Sequence, residues 1–348
     1  MTVSEESQQI DVQEKQRRYF ATAQEFVGVP VDKLLSNWCY SSRLQGCEPR
    51  KGIEMSGSLE VIPTGTVGAE MGGVNLAAVT RAEVDAIKRA WYRHDVLVFR
   101  RQKLSDDDLL AFSRHFGALD PPPNQGAGRR SPPGYPDIYV ISNVRDDTGE
   151  PIGALGDGEA AWHTDMSYLA RPPDASMLYS LEIPVEGGDT WFCGMKAALA
   201  AMPPELIARI KDRDIKHDGT YDSGGNLRKG LTATRDPRTS TGTPHPIVIR
   251  HPESGDRALY LGRRLNAYVV GLAVEESERL LDEIWSYVET AVYRHRWALG
   301  DLVLWDNRTT MHRRDAFDPK ARRVMHRTQI RGSGVPVRAA GLTKAIRA

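Results

Sequence analysis

The most constraining feature of this chain is its texture between residues 59 and 330. Short apolar runs are bounded by Gly, Pro, Asp and Asn, and few helical stretches separate them. Residues 59–63, 96–99, 137–142, 177–183, 301–305 and 323–330 have the length and composition of strands. Helical patterns appear at 80–91, from Ser105 toward Gly117, at 203–211 and at 275–293. They do not alternate with the strands as βαβ units would. The expectation is a mainly β chain with helical decoration, of the α+β class, built on an antiparallel core. Local signals sharpen this reading. Thr80 and Glu83 have capping-box spacing, and Gly187-Gly188-Asp189 forms a tight turn ahead of Thr190.

With 348 residues, the chain is long enough for one large domain or two small ones. The change of texture divides it into an extension (1–57), a main domain (58–335) and a tail (336–348). The extension carries a helical stretch near 14–25. Lys+Arg and Asp+Glu balance at 46 each, so bulk charge offers nothing to nucleic acid or an acidic membrane. The acidic, polar start lacks a signal-peptide pattern, and no run is long enough to span a membrane. Cys39, Cys47 and Cys193 are odd in number, which points to a reduced, cytoplasmic setting. The expected partner is a small molecule, with homo-oligomerisation left open.

Chemistry concentrates in Trp162-His163-Thr164-Asp165. In an extended strand, residues i and i+2 share a face, so the imidazole and the carboxylate can reach one metal ion. His312 follows a strand and a polar turn, a position from which its side chain can face a pocket, and one further imidazole would complete the set. Two His and one carboxylate with the opposite side open is the ligand set of non-haem Fe(II) oxygenases. The same three groups can also hold zinc and activate water in a hydrolase, or survive in a non-catalytic metal-binding barrel. Arg323 and Arg327 lie four apart on a strand-like run, and a guanidinium grips a carboxylate bidentately.

Taken together, His163-x-Asp165, Gly187-Gly188-Asp189-Thr190, Trp305-Asp306-Asn307-Arg308, His312, Arg323 and Arg327 resemble the taurine/aryloxyalkanoate dioxygenase family over roughly residues 58–335. The resemblance implies a double-stranded β-helix, the cupin-like jelly roll. It also implies Fe(II), with 2-oxoglutarate and O2 as cosubstrates. The reaction it implies is hydroxylation of a C–H in a small anionic substrate, releasing succinate and CO2. By position, His163, Asp165 and His312 would bind iron, and Thr190 and Arg323 would hold the distal carboxylate of 2-oxoglutarate. Arg327 would pair with the substrate's anionic group.

The departures are informative. No histidine follows Phe116-Gly117, and Glu159 stands where the taurine enzyme has asparagine. A carboxylate there repels a sulfonate or attracts a cationic group, so taurine itself is not the expected substrate. The run 259–266 falls where the family places substrate-facing residues. Arg263 and Arg264 are therefore candidates to read a second anionic group, Arg263 being the one carried forward as substrate-binding, against plain solvation as the favoured reading for both. For Thr190 the alternative is an ordinary strand residue, and for Arg327 an ion pair with Glu159. His217, His245, His251, His295 and His326 are expected to be structural or superficial. Residues 221–246, polar and glycine-rich, are a candidate lid.

Overall fold

A computed structural model of the protein describes residues 59–122, 131–155 and 160–340. Every described residue belongs to one compact unit. The helical stretch expected near 14–25, Cys39, Cys47 and Glu159 lie outside the described residues.

The larger sheet has eight strands. Their order is β1 (Glu60–Pro63), β2 (Ala69–Gly72), β3 (Val96–Phe99), β15 (Leu302–Asp306), β7 (Ala175–Glu182), β17 (Val324–Ile330), β4 (Tyr139–Ser142) and β5 (Ala154–Leu155). A four-stranded sheet runs β14 (Val292–His295), β8 (Thr190–Gly194), β16 (Thr310–Arg314) and β6 (Ala160–His163). A smaller sheet orders β10 (Pro244–Pro246), β9 (Asp214–Lys216) and β13 (Tyr268–Val269), and β11 (Val248–Arg250) pairs with β12 (Arg257–Leu259). The central ladders are antiparallel, as in β15–β7, β17–β7, β16–β8 and β16–β6. The expected mainly β jelly roll is therefore observed.

The unbroken apolar runs have a simple cause, because strands such as β3 and β15 are covered on both faces. Val96, Val98, Val303 and Trp305 join Phe192 of β8 and Met325 of β17 in one core cluster. The alternating residues Leu97, Phe99, Leu302 and Leu304 pack instead against helices α1 (Arg81–His94) and α2 (Asp106–Arg114). Each fully buried side chain of this kind contributes roughly 1.5–3 kcal/mol. α1 begins where Thr80 and Glu83 complete a capping box, and α2 begins with the equivalent pair, Ser105 and Asp108.

Three further helices are α3 (Met195–Ala201), α4 (Pro204–Ile210) and α5 (Val274–Trp285). The helix read over 275–293 stops at Trp285, and residues 292–295 form β14 instead. Their backbone pairs with β8, a distant partner that overrides the local period. Residues just past 335 pack on the domain: Arg250 donates its N–H to Val337, and Ala339 is buried beside Val248.

Candidate metal centre

β6 and β16 pair antiparallel with His163 directly opposite His312. Cross-strand neighbours project to the same side, so the two rings meet with centroids 4.2 Å apart. Asp165 follows two residues after His163, just beyond the end of β6. Its Oδ1 lies 3.7 Å from Nε2 of His163 and 3.7 Å from Nε2 of His312. One ligand atom from each of the three lies within 4.8 Å of the others.

The protonation states suit a cation. Nδ1 of His163 lies 2.7 Å from the Ala161 carbonyl, which only accepts, so the proton sits on Nδ1 and Nε2 keeps its lone pair. Burial lowers the pKa of His163, and burial together with the neighbouring His163 ring lowers that of His312 to about 3. Burial opposes charge on Asp165 as well, but Arg327, His312 and His163 outweigh it and hold the carboxyl well below the usual range. Two neutral imidazoles and a carboxylate are the forms a divalent ion requires.

Asp165 is held through its other oxygen. Oδ2 accepts from Ser176 Oγ at 2.8 Å and lies 2.6 Å from Arg327 Nη2. Asn307 Nδ2 in turn donates to Ser176 Oγ at 3.2 Å. Trp305 and Phe192 pack on the His312 ring, at 4.9 and 6.1 Å between centroids. Thr164, between the two ligands, donates its N–H to the Gly262 carbonyl at 2.9 Å.

Arg323 is a second focus. It is only 2% exposed, yet its guanidinium makes no hydrogen bond or ion pair among the described residues. Burial and the nearby Arg314 both disfavour its charge, against a weaker favourable pull from Asp189. An unpaired buried guanidinium is costly unless an anion joins it, and its donor fork fits a carboxylate. These residues therefore fit the distal end of a dicarboxylate. Thr190, buried in β8, accepts from Trp297 Nε1 at 3.1 Å, which leaves its hydroxyl proton to donate elsewhere. Its cross-strand neighbour is Arg314. Strand alternation does not relate Arg323 to Arg327, because β17 begins after Arg323 and its register with β7 shifts between Val324 and Met325.

One cavity is lined by His163 and Asp165 together with Arg327, Arg263, Tyr168 and Arg228. Thr190 and Arg323 are not part of its lining. Solvation, the favoured reading for Arg263 and Arg264, is corrected. Arg263 is 7% exposed, with Nη2 at 3.0 Å from Asp218 Oδ2 and 2.6 Å from the Tyr221 carbonyl. Arg264 is buried against Glu278 and Asp282 of α5. Both were desolvated by partners distant in sequence, which local composition does not reveal. Arg327, for which Glu159 was the alternative partner, pairs with Asp165. Glu159 lies outside the described residues.

Ser176 and Asp218 carry no sequence motif that marks them, and Arg228 falls within the candidate lid 221–246. Of the remaining histidines, His251 lies 2.9 Å from Asp306 and His326 lies 2.7 Å from Asp106, whereas buried His217 has no hydrogen-bond partner for either ring nitrogen among the described residues. No helix among the described residues is long and apolar enough to cross a membrane.

The family model for "Taurine catabolism dioxygenase TauD, TfdA family" matches residues 60–329. The (S)-phenoxypropionate/alpha-ketoglutarate-dioxygenase of Delftia acidovorans is 33% identical over 294 residues, covering 80% of this chain and 97% of that protein. The alpha-ketoglutarate-dependent 2,4-dichlorophenoxyacetate dioxygenase of Cupriavidus pinatubonensis is 35% identical over 261 residues, covering 72% and 89%. The crystal structure of a taurine dioxygenase from Burkholderia xenovorans superposes with a TM-score of 0.66 at 31% identity, covering 82% of this chain and 92% of that one.

Proposed function

The chain belongs to the TauD/TfdA family of 2-oxoglutarate-dependent dioxygenases, and on that premise we propose that His163, Asp165 and His312 hold its Fe(II) while Arg323 and Thr190 hold 2-oxoglutarate. The overall reaction hydroxylates a substrate C–H and converts 2-oxoglutarate and O2 to succinate and CO2. The bound iron supplies the oxygen chemistry. The observation that carries this reading is the equal 3.7 Å approach of both imidazole Nε2 atoms to one carboxylate oxygen.

The chain's own residues divide the remaining work. The Ala161 carbonyl fixes the His163 tautomer and keeps Nε2 available. Ser176 and Arg327 hold Asp165 through Oδ2, so Oδ1 is the ligand atom. Arg323, desolvated and unpaired, takes the distal carboxylate of 2-oxoglutarate, and Thr190 donates its hydroxyl proton to the same group. Trp305 and Phe192 exclude water from the His312 side. Zinc hydrolysis with the same three ligands gives no role to an unpaired Arg323.

The substrate is a small organic anion other than taurine. Relatives named for phenoxypropionate and 2,4-dichlorophenoxyacetate favour an aryloxyalkanoic acid. Arg327 and Arg263 line the cavity, and Glu159 is proposed as a substrate-binding residue on the sequence alone. The cytoplasm is the proposed compartment, from the odd cysteine count and the buried, free Cys193.

The experiment is a succinate-release screen under Fe(II), 2-oxoglutarate and O2 against aryloxy acids, sulfate esters, sulfonates and amino acids. The expected result is O2-dependent succinate matching substrate consumed. Turnover without O2 and without succinate would return the hydrolase reading.

A further inference from the structure

We propose that Arg228 is the specificity residue that receives the substrate's oxyanion, a carboxylate or a sulfate, in the cavity beside His163 and Asp165. The inference deepens the reading above and rests on that cavity being the substrate pocket.

Three arginines line the cavity, and two are already engaged. Arg327 is spent on Asp165 Oδ2 and Ser176 Oγ, at 2.6 and 3.1 Å. Arg263 is spent on Asp218 and on the Tyr221 carbonyl. Arg228 differs. Its Nε donates weakly to the Tyr221 carbonyl at 3.3 Å, and its guanidinium carbon lies 4.8 Å from the centre of the Tyr168 ring. It forms no ion pair among the described residues. The carboxylates nearby are committed elsewhere: Asp218 to Arg263, and Asp222 Oδ1 to the N–H groups of Gly224 and Asn226, both at 2.9 Å. Arg228 is thus the one of the three whose charge no described carboxylate neutralises.

Its position is set by the backbone. Arg228 N–H donates to the Thr220 carbonyl at 2.9 Å, and Tyr221 bridges Leu227 just before it. Contact with Tyr168 and the Nε bond restrain the guanidinium plane, leaving the terminal nitrogens to make a two-pronged contact with an oxyanion. Tyr139 and Met166 offer apolar lining for an aryl or alkyl body. The occupant that fits is an organic acid with its oxyanion at Arg228 and a C–H near the metal face.

The test is anaerobic calorimetry on the full-length protein loaded with Fe(II) and 2-oxoglutarate. The probes are phenoxyacetate, hexyl sulfate and the uncharged methyl phenoxyacetate. Wild type should bind at least one anion more tightly than the ester. Arg228→Gln should weaken that anion roughly 10- to 100-fold, the scale of a charge-assisted contact, and leave the ester unchanged. Arg228→Lys, which keeps the charge without the fork, should recover part of the loss. Which anion binds tells carboxylate from sulfate. Equal anion affinity in Arg228→Gln and wild type would overturn the proposal, as would a wild type that binds neither anion better than the ester. The dioxygenase reading fails on a separate readout, the absence of O2-dependent succinate, which leaves the calorimetric comparison standing.

Discussion

Arg327 and Asp165 form a buried ion pair through one carboxylate oxygen only: Nη2 lies 2.6 Å from Oδ2, while Oδ1 lies 3.7 Å from both imidazoles. One carboxylate is thereby divided between a permanent cation on Oδ2 and the two imidazoles on Oδ1. Removing Arg327 strands Asp165 in a desolvated setting, at a cost of roughly 3–5 kcal/mol. A divalent ion would restore the missing charge. Arg327→Met should therefore lower the melting temperature of the metal-free protein and enlarge the rise produced by Mn(II), read by thermal denaturation. A rise no larger than that of wild type would contradict this.

Arg323 should behave in the opposite sense. Among the described residues its guanidinium is buried without a hydrogen-bond or ion-pair partner, so its charge is desolvated and an anion would relieve it. Arg323→Met should leave the ligand-free melting temperature equal or higher. It should also abolish the stabilisation by 2-oxoglutarate and raise the 2-oxoglutarate requirement roughly 100-fold or more, the loss of at least one charge-assisted bond. An equal rise in the prime-substrate requirement would count against the assignment.

Gly262 lies at φ +69, and a Cβ there would fall 2.2 Å from His217 Nδ1 and 2.8 Å from Ser167 Oγ. Its carbonyl receives the Thr164 N–H between the two proposed ligands. Gly262→Ala should cost roughly 1–3 kcal/mol by overpacking, measured in urea. Metal affinity should fall about 10-fold or more through displacement of the 163–165 backbone. Unchanged metal affinity in a folded variant would disconnect Gly262 from the site.

Asp95 gives a pH signature away from the metal. Burial raises its pKa from 3.8 to about 6, against the opposing pull of Lys196. The folded state then holds a proton that the unfolded state has released between these values. Asp95 favours folding when protonated, and that contribution is lost as pH rises from 3.8 through about 6. Asp95→Asn should remove this slope, at most about 3 kcal/mol over the window. It leaves Lys196 its contact with Asp256 at 3.0 Å. Parallel stability–pH curves for the two proteins would refute the assignment.

The site was legible where it is local and hidden where it depends on pairing across the chain. His163 and Asp165 announce themselves because strand residues two apart share a face. The capping box of Thr80 and Glu83 is equally self-contained. His312 joined them through the family resemblance, since nothing in its neighbourhood reveals that it stands opposite His163 in the ladder. The same limit explains the overrun of α5, whose expected end was taken by pairing of β14 with β8. It also explains Arg263, whose burial depends on Asp218 and Tyr221. Ser176 carried no signal at all, being one small residue in an apolar strand, yet it holds Asp165.

The central claim is that His163, Asp165 and His312 form one metal-binding face. Anaerobic Fe(II) titration of wild type and His312→Ala, with the metal retained after desalting quantified, tests it most directly. The account predicts one iron per wild-type chain and none retained by a folded His312→Ala protein. Retention of iron by that variant at wild-type stoichiometry would contradict it.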